Sequence, residues 1–175
     1  LSSAEMRPFE DTRTGLVLGE ACGSLLLSKN NSREYAQHVC GGANVCDRYG
    51  ISTANPDGSS VAKVIDQALR APAIEPPAIR AIKAHGTASL SNDDAESAGM
   101  HAVLNALPAV SAPEPFIGHT LGACGLAETI LFCESLAQGF VPATTGISSS
   151  PGKLGVQLLQ NSVDADPGFY MLNYF

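Results

Sequence analysis

Ala78-Ile79-Arg80-Ala81-Ile82-Lys83-Ala84-His85-Gly86-Thr87 decides the fold. Residues 78–84 read as a short, mostly apolar strand that delivers His85 beside a glycine. A helix follows over residues 93–107, with Asn92 as its N-cap and Asp93, Asp94 and Glu96 at the positive end of its dipole. The setting then recurs. Residues 114–117 read as a second strand, and Gly118-His119-Thr120-Leu121-Gly122-Ala123-Cys124-Gly125 follows it. Residues 121–138 read as a helix apolar nearly all round, ended by Gly139. A lone His-Gly pair says little. Two, each between a strand end and a helix start, lie where α/β proteins place their chemistry.

Outward from these elements the alternation continues. Residues 16–28 read as a buried strand and residues 35–46 as a second one rich in small residues. After the Asn55-Pro56-Asp57-Gly58 turn, Ser59 or Ser60 caps a helix through Arg70 with Val61, Val64, Ile65 and Leu69 on one stripe. Residues 156–160 and 169–175 close the chain as strands. Strand–helix alternation with apolar strands predicts an α/β layered fold, a parallel or mixed sheet covered by helices.

At 175 residues, 45% hydrophobic and 15% charged, the chain can bury a sizeable core and is less charged than most soluble domains, at about 25%. A net charge of −7 speaks against nucleic-acid or anionic-membrane partners, and no apolar run reaches the ~20 residues of a membrane span. Cys22, Cys40, Cys46, Cys124 and Cys133 are odd in number and form no C-x-x-C pair. Reduced, mostly buried thiols in the cytoplasm are expected, with Cys22, Cys40, Cys124 and Cys133 in apolar or small-residue surroundings. His38, Cys40 and Cys46 have no fourth partner for zinc, and no metal site is predicted. The start at Leu1 and the stop at Phe175 within a strand-like run read as a segment of a longer polypeptide.

Histidines at neighbouring strand ends can converge on one small volume. The helix start beside His119 disfavours imidazolium, and a neutral imidazole can donate one N–H to a developing oxyanion. Gly118, Gly122 and Gly125 would allow close backbone approach.

His85-Gly86-Thr87 with Asn92-Asp93 and Glu96 resembles the His-Gly-Thr segment of the β-ketoacyl-acyl carrier protein synthases. Gly118 to Gly125 with Glu128 resembles their second histidine motif. Arg7-Pro8-Phe9, Arg13-Thr14-Gly15 and Leu18-Gly19-Glu20 are similar to a stretch preceding these motifs, and Leu172-Asn173-Tyr174-Phe175 to the strand entering the family's terminal loop. The resemblance implies a thiolase-like layered fold, with residues 1–30 ending the first half and residues 31–175 forming the C-terminal half. It implies a homodimer or a ketosynthase heterodimer, acyl carrier protein as partner, and no cofactor beyond the carrier's phosphopantetheine. The implied reaction is a decarboxylative Claisen condensation of malonyl-carrier with an acyl thioester in fatty acid, polyketide or polyene synthesis. His85 and His119 would assist it, which favours the elongating type. Thr87 and Ser89 match positions that bond the pantetheine arm.

Two departures from the family follow. Its nucleophilic cysteine lies upstream of these 175 residues, and Cys124 occupies the place of a small packing residue, so the isolated segment is expected to be inactive. Five residues before His119, where the family usually has lysine, stands Glu114, near the expected Glu128. Lys83 shares the strand face of His85, and a Lys83–Glu114 pair would keep a cation between the strand ends, unless both side chains reach solvent independently; a buried Glu128 would need backbone N–H groups or Lys83 as its donor. Two alternatives stay open: a non-catalytic partner resembling a chain-length factor, and a carrier-docking domain, which the acidic balance opposes.

Overall fold

A computed structural model describes residues 1–2, 5–29, 37–51, 53–148 and 151–175. In chain order its elements are α1 (Ser59–Arg70), β1 (Ile79–Lys83), α2 (Leu90–Val103), β2 (Ala109–Ser111), α3 (Glu114–Ile117), α4 (Cys124–Ala137), β3 (Phe140–Val141), β4 (Val163–Asp164) and β5 (Phe169–Leu172). The central sheet is parallel, in the order β2-β1-β5, and β3 pairs with β4 as a separate antiparallel ribbon.

Alternation along β1 divides the core. Ile82 and Ala84 pack with Val61, Ile65 and Leu69 of α1, Met100 of α2, and Val110. Ala81 faces the other way, onto Phe132 and Leu136 of α4. Lys83, two residues beyond Ala81, shares that second face. The stripe on α1 is the one its sequence spacing predicts.

Several boundaries differ from the sequence reading. Gly58, in the left-handed region, precedes α1, and the Asp57 carboxylate accepts the Ser59 N–H. Ser89 rather than Asn92 stands at the start of α2, which ends at Val103, and Asp93 and Glu96 turn inward. The expected strand 114–117 is the helix α3. Pro115 in its first turn has no N–H for a ladder and a φ already set for a helix. Residues 16–28 form no strand: Leu18 alone bridges, to His119, while Leu25, Leu26 and Leu27 lie exposed. Tyr35 and Ala36 lie outside the described residues, and residues 37–46 carry no strand. Of residues 156–160 only Leu158 bridges, to Val110, and the last strand stops at Leu172.

α4 is not buried all round. Cys124, Glu128 and Phe132 form its single buried stripe, and Leu131 is exposed. The thiols are all free, but Cys22, Cys40 and Cys46 are exposed and only Cys124 is fully buried, against expectation. Among the described residues no helix is long and apolar enough to cross a membrane.

Candidate active site

β1 ends at Lys83, and three residues on the chain turns at Gly86, whose φ of 58° lies in the left-handed region. A Cβ there would stand 2.8 Å from that of Ala112. This turn is held by Glu96, reaching out of α2. Its Oε1 accepts the His85 N–H (2.7 Å) and the Asn173 amide (2.7 Å), and its Oε2 accepts the Gly86 N–H (2.9 Å). One buried carboxylate thus ties the ends of β1 and β5 to α2.

His119 is positioned from the opposite side. Its N–H donates to the Val17 carbonyl (2.7 Å), and its carbonyl accepts the Gly19 N–H (3.0 Å). A Cβ on Gly19 would overlap the Ile117 carbonyl, so only glycine lets the two backbones meet. The rings of His85 and His119 lie 5.6 Å apart, centroid to centroid, and the Phe175 ring meets His85 edge-on at 5.1 Å.

Glu114, fully buried at the start of α3, sits between the histidines. Oε1 contacts His119 Nδ1 in a short hydrogen bond, and Oε2 lies 3.7 Å from His85 Nδ1. Burial, then the Glu128 charge, pushes its carboxyl up to about 8. Burial pushes His85 down to about 3, assisted by Lys83 and His119, and burial also lowers His119. Both imidazoles are therefore neutral at pH 7. The cause for His119 is burial, since a 3-10 turn at Leu121–Ala123 separates it from α4. Two neutral rings sharing one pocket can present N–H donors to an oxyanion.

A family model described as "Beta-ketoacyl synthase, C-terminal domain" matches residues 35–148. The chain belongs to the β-ketoacyl synthases. A chloroplastic 3-oxoacyl-[acyl-carrier-protein] synthase II of Arabidopsis thaliana is 30% identical over 161 residues, covering 87% of this chain and 30% of that protein. The ishigamide ketosynthase/chain length factor structure is 29% identical with a TM-score of 0.82, covering 95% of this chain and 42% of that one. A type II polyketide synthase acyl-carrier protein in complex with its ketosynthase bound to the hexaketide gives 26% and 0.81, covering 91% and 41%. The fold is the thiolase-like fold of these ketosynthases, and the chain spans about a third of the length of the curated relatives it matches.

Within this ketosynthase fold the expected Lys83–Glu114 pair is replaced. Lys83 forms its ion pair with Glu128, while its Nζ also reaches the Asn173 carbonyl (3.3 Å) and lies 3.8 Å from the centroid of the Tyr174 ring. The reason is the layer: Lys83 and the buried stripe of α4 share one face of the sheet, whereas α3 carries the Glu114 carboxylate to the histidines. Cys124 donates to Glu128 Oε1 (2.7 Å), and burial and that carboxylate push its thiol up, which makes it a poor nucleophile. His85, Glu114 and Cys124 could offer a metal one ligand atom each, within 4.8 Å of one another, but Cys124 and Glu114 are already bonded to Glu128 and His119.

Thr87 is fully buried, its hydroxyl donating to Ser89 Oγ (3.0 Å) and accepting the Ser89 N–H (3.3 Å). Gly122 meets nothing within 4 Å, and Gly125 meets only the Tyr174 ring, so close approach explains neither. The roles of Glu96 and Asn173 went unread, although both stand within the quoted motifs. Spacing along the chain does not state that the Glu96 carboxylate turns to the His85 backbone or that the Asn173 amide turns to Glu96.

Proposed function

We propose that this chain supplies the two-histidine half of an elongating β-ketoacyl-acyl carrier protein synthase active site in the full protein. The pair of neutral, converging imidazoles carries the reading. When malonyl-carrier loses carbon dioxide, the electron pair of the breaking C–C bond passes to the adjacent carbon. The negative charge spreads onto the thioester oxygen, where imidazole N–H groups stabilise it. The carbanion then attacks an acyl thioester held on the family's upstream cysteine and expels the thiolate. Thr87 and Ser89 would bond the pantetheine arm of the acyl carrier protein.

Residues 1–30 belong, on this reading, to the first half, and a homodimer or ketosynthase heterodimer is the working assembly. The exposed free thiols fit a reducing compartment, and the cytoplasm is the one proposed. In the full protein, His85→Ala or His119→Ala should cut malonyl decarboxylation by roughly 10²–10³. Unchanged rates in both variants would refute the reading. Likeness to the ketosynthase/chain length factor structure raises a second reading, a non-catalytic partner subunit. Retention of both histidines favours the enzyme, and the residue at the upstream nucleophile position decides between them.

A further inference from the structure

Four carboxyl groups are buried around the two histidines: Asp93, Glu96, Glu114 and Glu128. Three of them have donors. Asp93 accepts the Phe9 N–H (2.7 Å) and lies 3.7 Å from Arg13 Nε. Glu96 accepts three N–H groups, and Glu128 has the Lys83 ammonium and the Cys124 thiol. Glu114 has none of these. Among the described residues its Oε2 has no hydrogen-bond partner, and its Oε1 has only the His119 ring nitrogen. A bare carboxylate in such a place is costly, whereas a carboxylic acid carries its own donor.

We propose that Glu114 is a positioning residue that stays as the neutral acid, keeps its proton, donates its O–H hydrogen bond to His119 Nδ1, and so fixes His119 as the Nε2–H tautomer. The inference rests on the ketosynthase reading above. The reverse arrangement, a carboxylate accepting an Nδ1–H, would leave a lone pair on Nε2 and repel an oxyanion. The lysine that the family places here can only donate, and the protonated acid keeps a donor at that position.

The surrounding groups agree. Lys83 and His85 face Glu114 from the end of β1, Asp93 and Glu96 from α2, Cys124 and Glu128 from α4, and His119 from its own loop. The one ammonium among them is already paired with Glu128. The upward shift of Glu114, to about 8, has the same direction. When Glu114 ionises it becomes an acceptor, His119 changes tautomer and the oxyanion loses a donor.

The test compares the full protein with its E114Q variant in malonyl-carrier decarboxylation from pH 6 to 9.5, with ¹⁵N-histidine NMR of the His119 ring. E114Q should stay within about threefold of the unsubstituted rate at pH 7. The unsubstituted rate should fall about tenfold per pH unit above its alkaline inflection, and E114Q should lack that inflection. His119 Nδ1 should resonate as an unprotonated nitrogen. A folded E114Q slowed by roughly 10² at pH 7, or one keeping the same alkaline limb, overturns the proposal. So does a protonated Nδ1 in the unsubstituted protein, a reading that also decides the matter if E114Q does not fold. A protein inactive at every pH sinks the ketosynthase reading instead, and the tautomer still judges this one.

Discussion

Lys83→Met removes an ammonium that serves three partners at once: the Glu128 carboxylate, the Asn173 carbonyl and the Tyr174 ring. Both members of the ion pair are fully buried, so water cannot replace the missing charge. Breaking such a pair from one side costs about 3–5 kcal/mol. The stranded Asn173 carbonyl adds about 1 kcal/mol. Glu128→Met strands the ammonium and should cost a similar amount, although the Tyr174 ring and the Asn173 carbonyl still hold it. The double variant removes both charges and leaves two unbranched apolar chains on the sheet face that α4 covers, beside the Tyr174 ring. It should cost less than the two single changes together, by a coupling energy of about 2–3 kcal/mol. Urea unfolding of the full protein and its three variants at pH 7 measures the cycle. Additive losses, with no coupling, would show that the pair contributes nothing.

Gly86→Ala forces a left-handed residue with a Cβ into the space of Ala112, at about 1–2 kcal/mol for the backbone alone. Unfolding at the same urea midpoint would contradict this. Glu96→Gln keeps one acceptor oxygen where two serve His85, Gly86 and Asn173, so stability should fall by about 1–3 kcal/mol and decarboxylation with it. A stable variant with full activity would remove Glu96 from the positioning of His85. Thr87→Val should cost about 1 kcal/mol in stability and raise KM for the carrier substrate while leaving kcat nearly unchanged. Unchanged KM would refute the pantetheine role.

Elements defined by their own periodicity were legible in the sequence. The α1 stripe and the strand before His85 depend on nearest neighbours and came out within a residue or two. Elements defined by distant partners were not. Residues 16–28 have the composition of a buried strand, but a strand exists only where a neighbour lies alongside. Residues 114–117 look apolar enough for a sheet, and Pro115 settles them as a helix turn. In the site, the convergence of His85 and His119 was legible from the recurring His-Gly pairs, although His119 follows the helix α3 where a strand was expected. Which carboxylate Lys83 would choose depended on which face of the sheet each helix covers, and no spacing along the chain states that. The cysteines failed for a related reason: small-residue surroundings read as burial, yet residues 37–46 lie largely exposed.

The bridge between Leu18 and His119 carries a consequence for timing. The Glu96 bonds to the His85 and Gly86 N–H groups lie within one stretch of chain, although the Asn173 amide reaches the same carboxylate from the end of β5. The backbone on either side of His119 is completed only when Val17 and Gly19 arrive across about 100 residues, a closure whose entropy is about 4 kcal/mol. Contacts of that separation slow folding. Competence of the site is thus tied to a long-range contact as well as to local ones. A chain that has formed its sheet but not this bridge still lacks the backbone contacts that hold His119 in place.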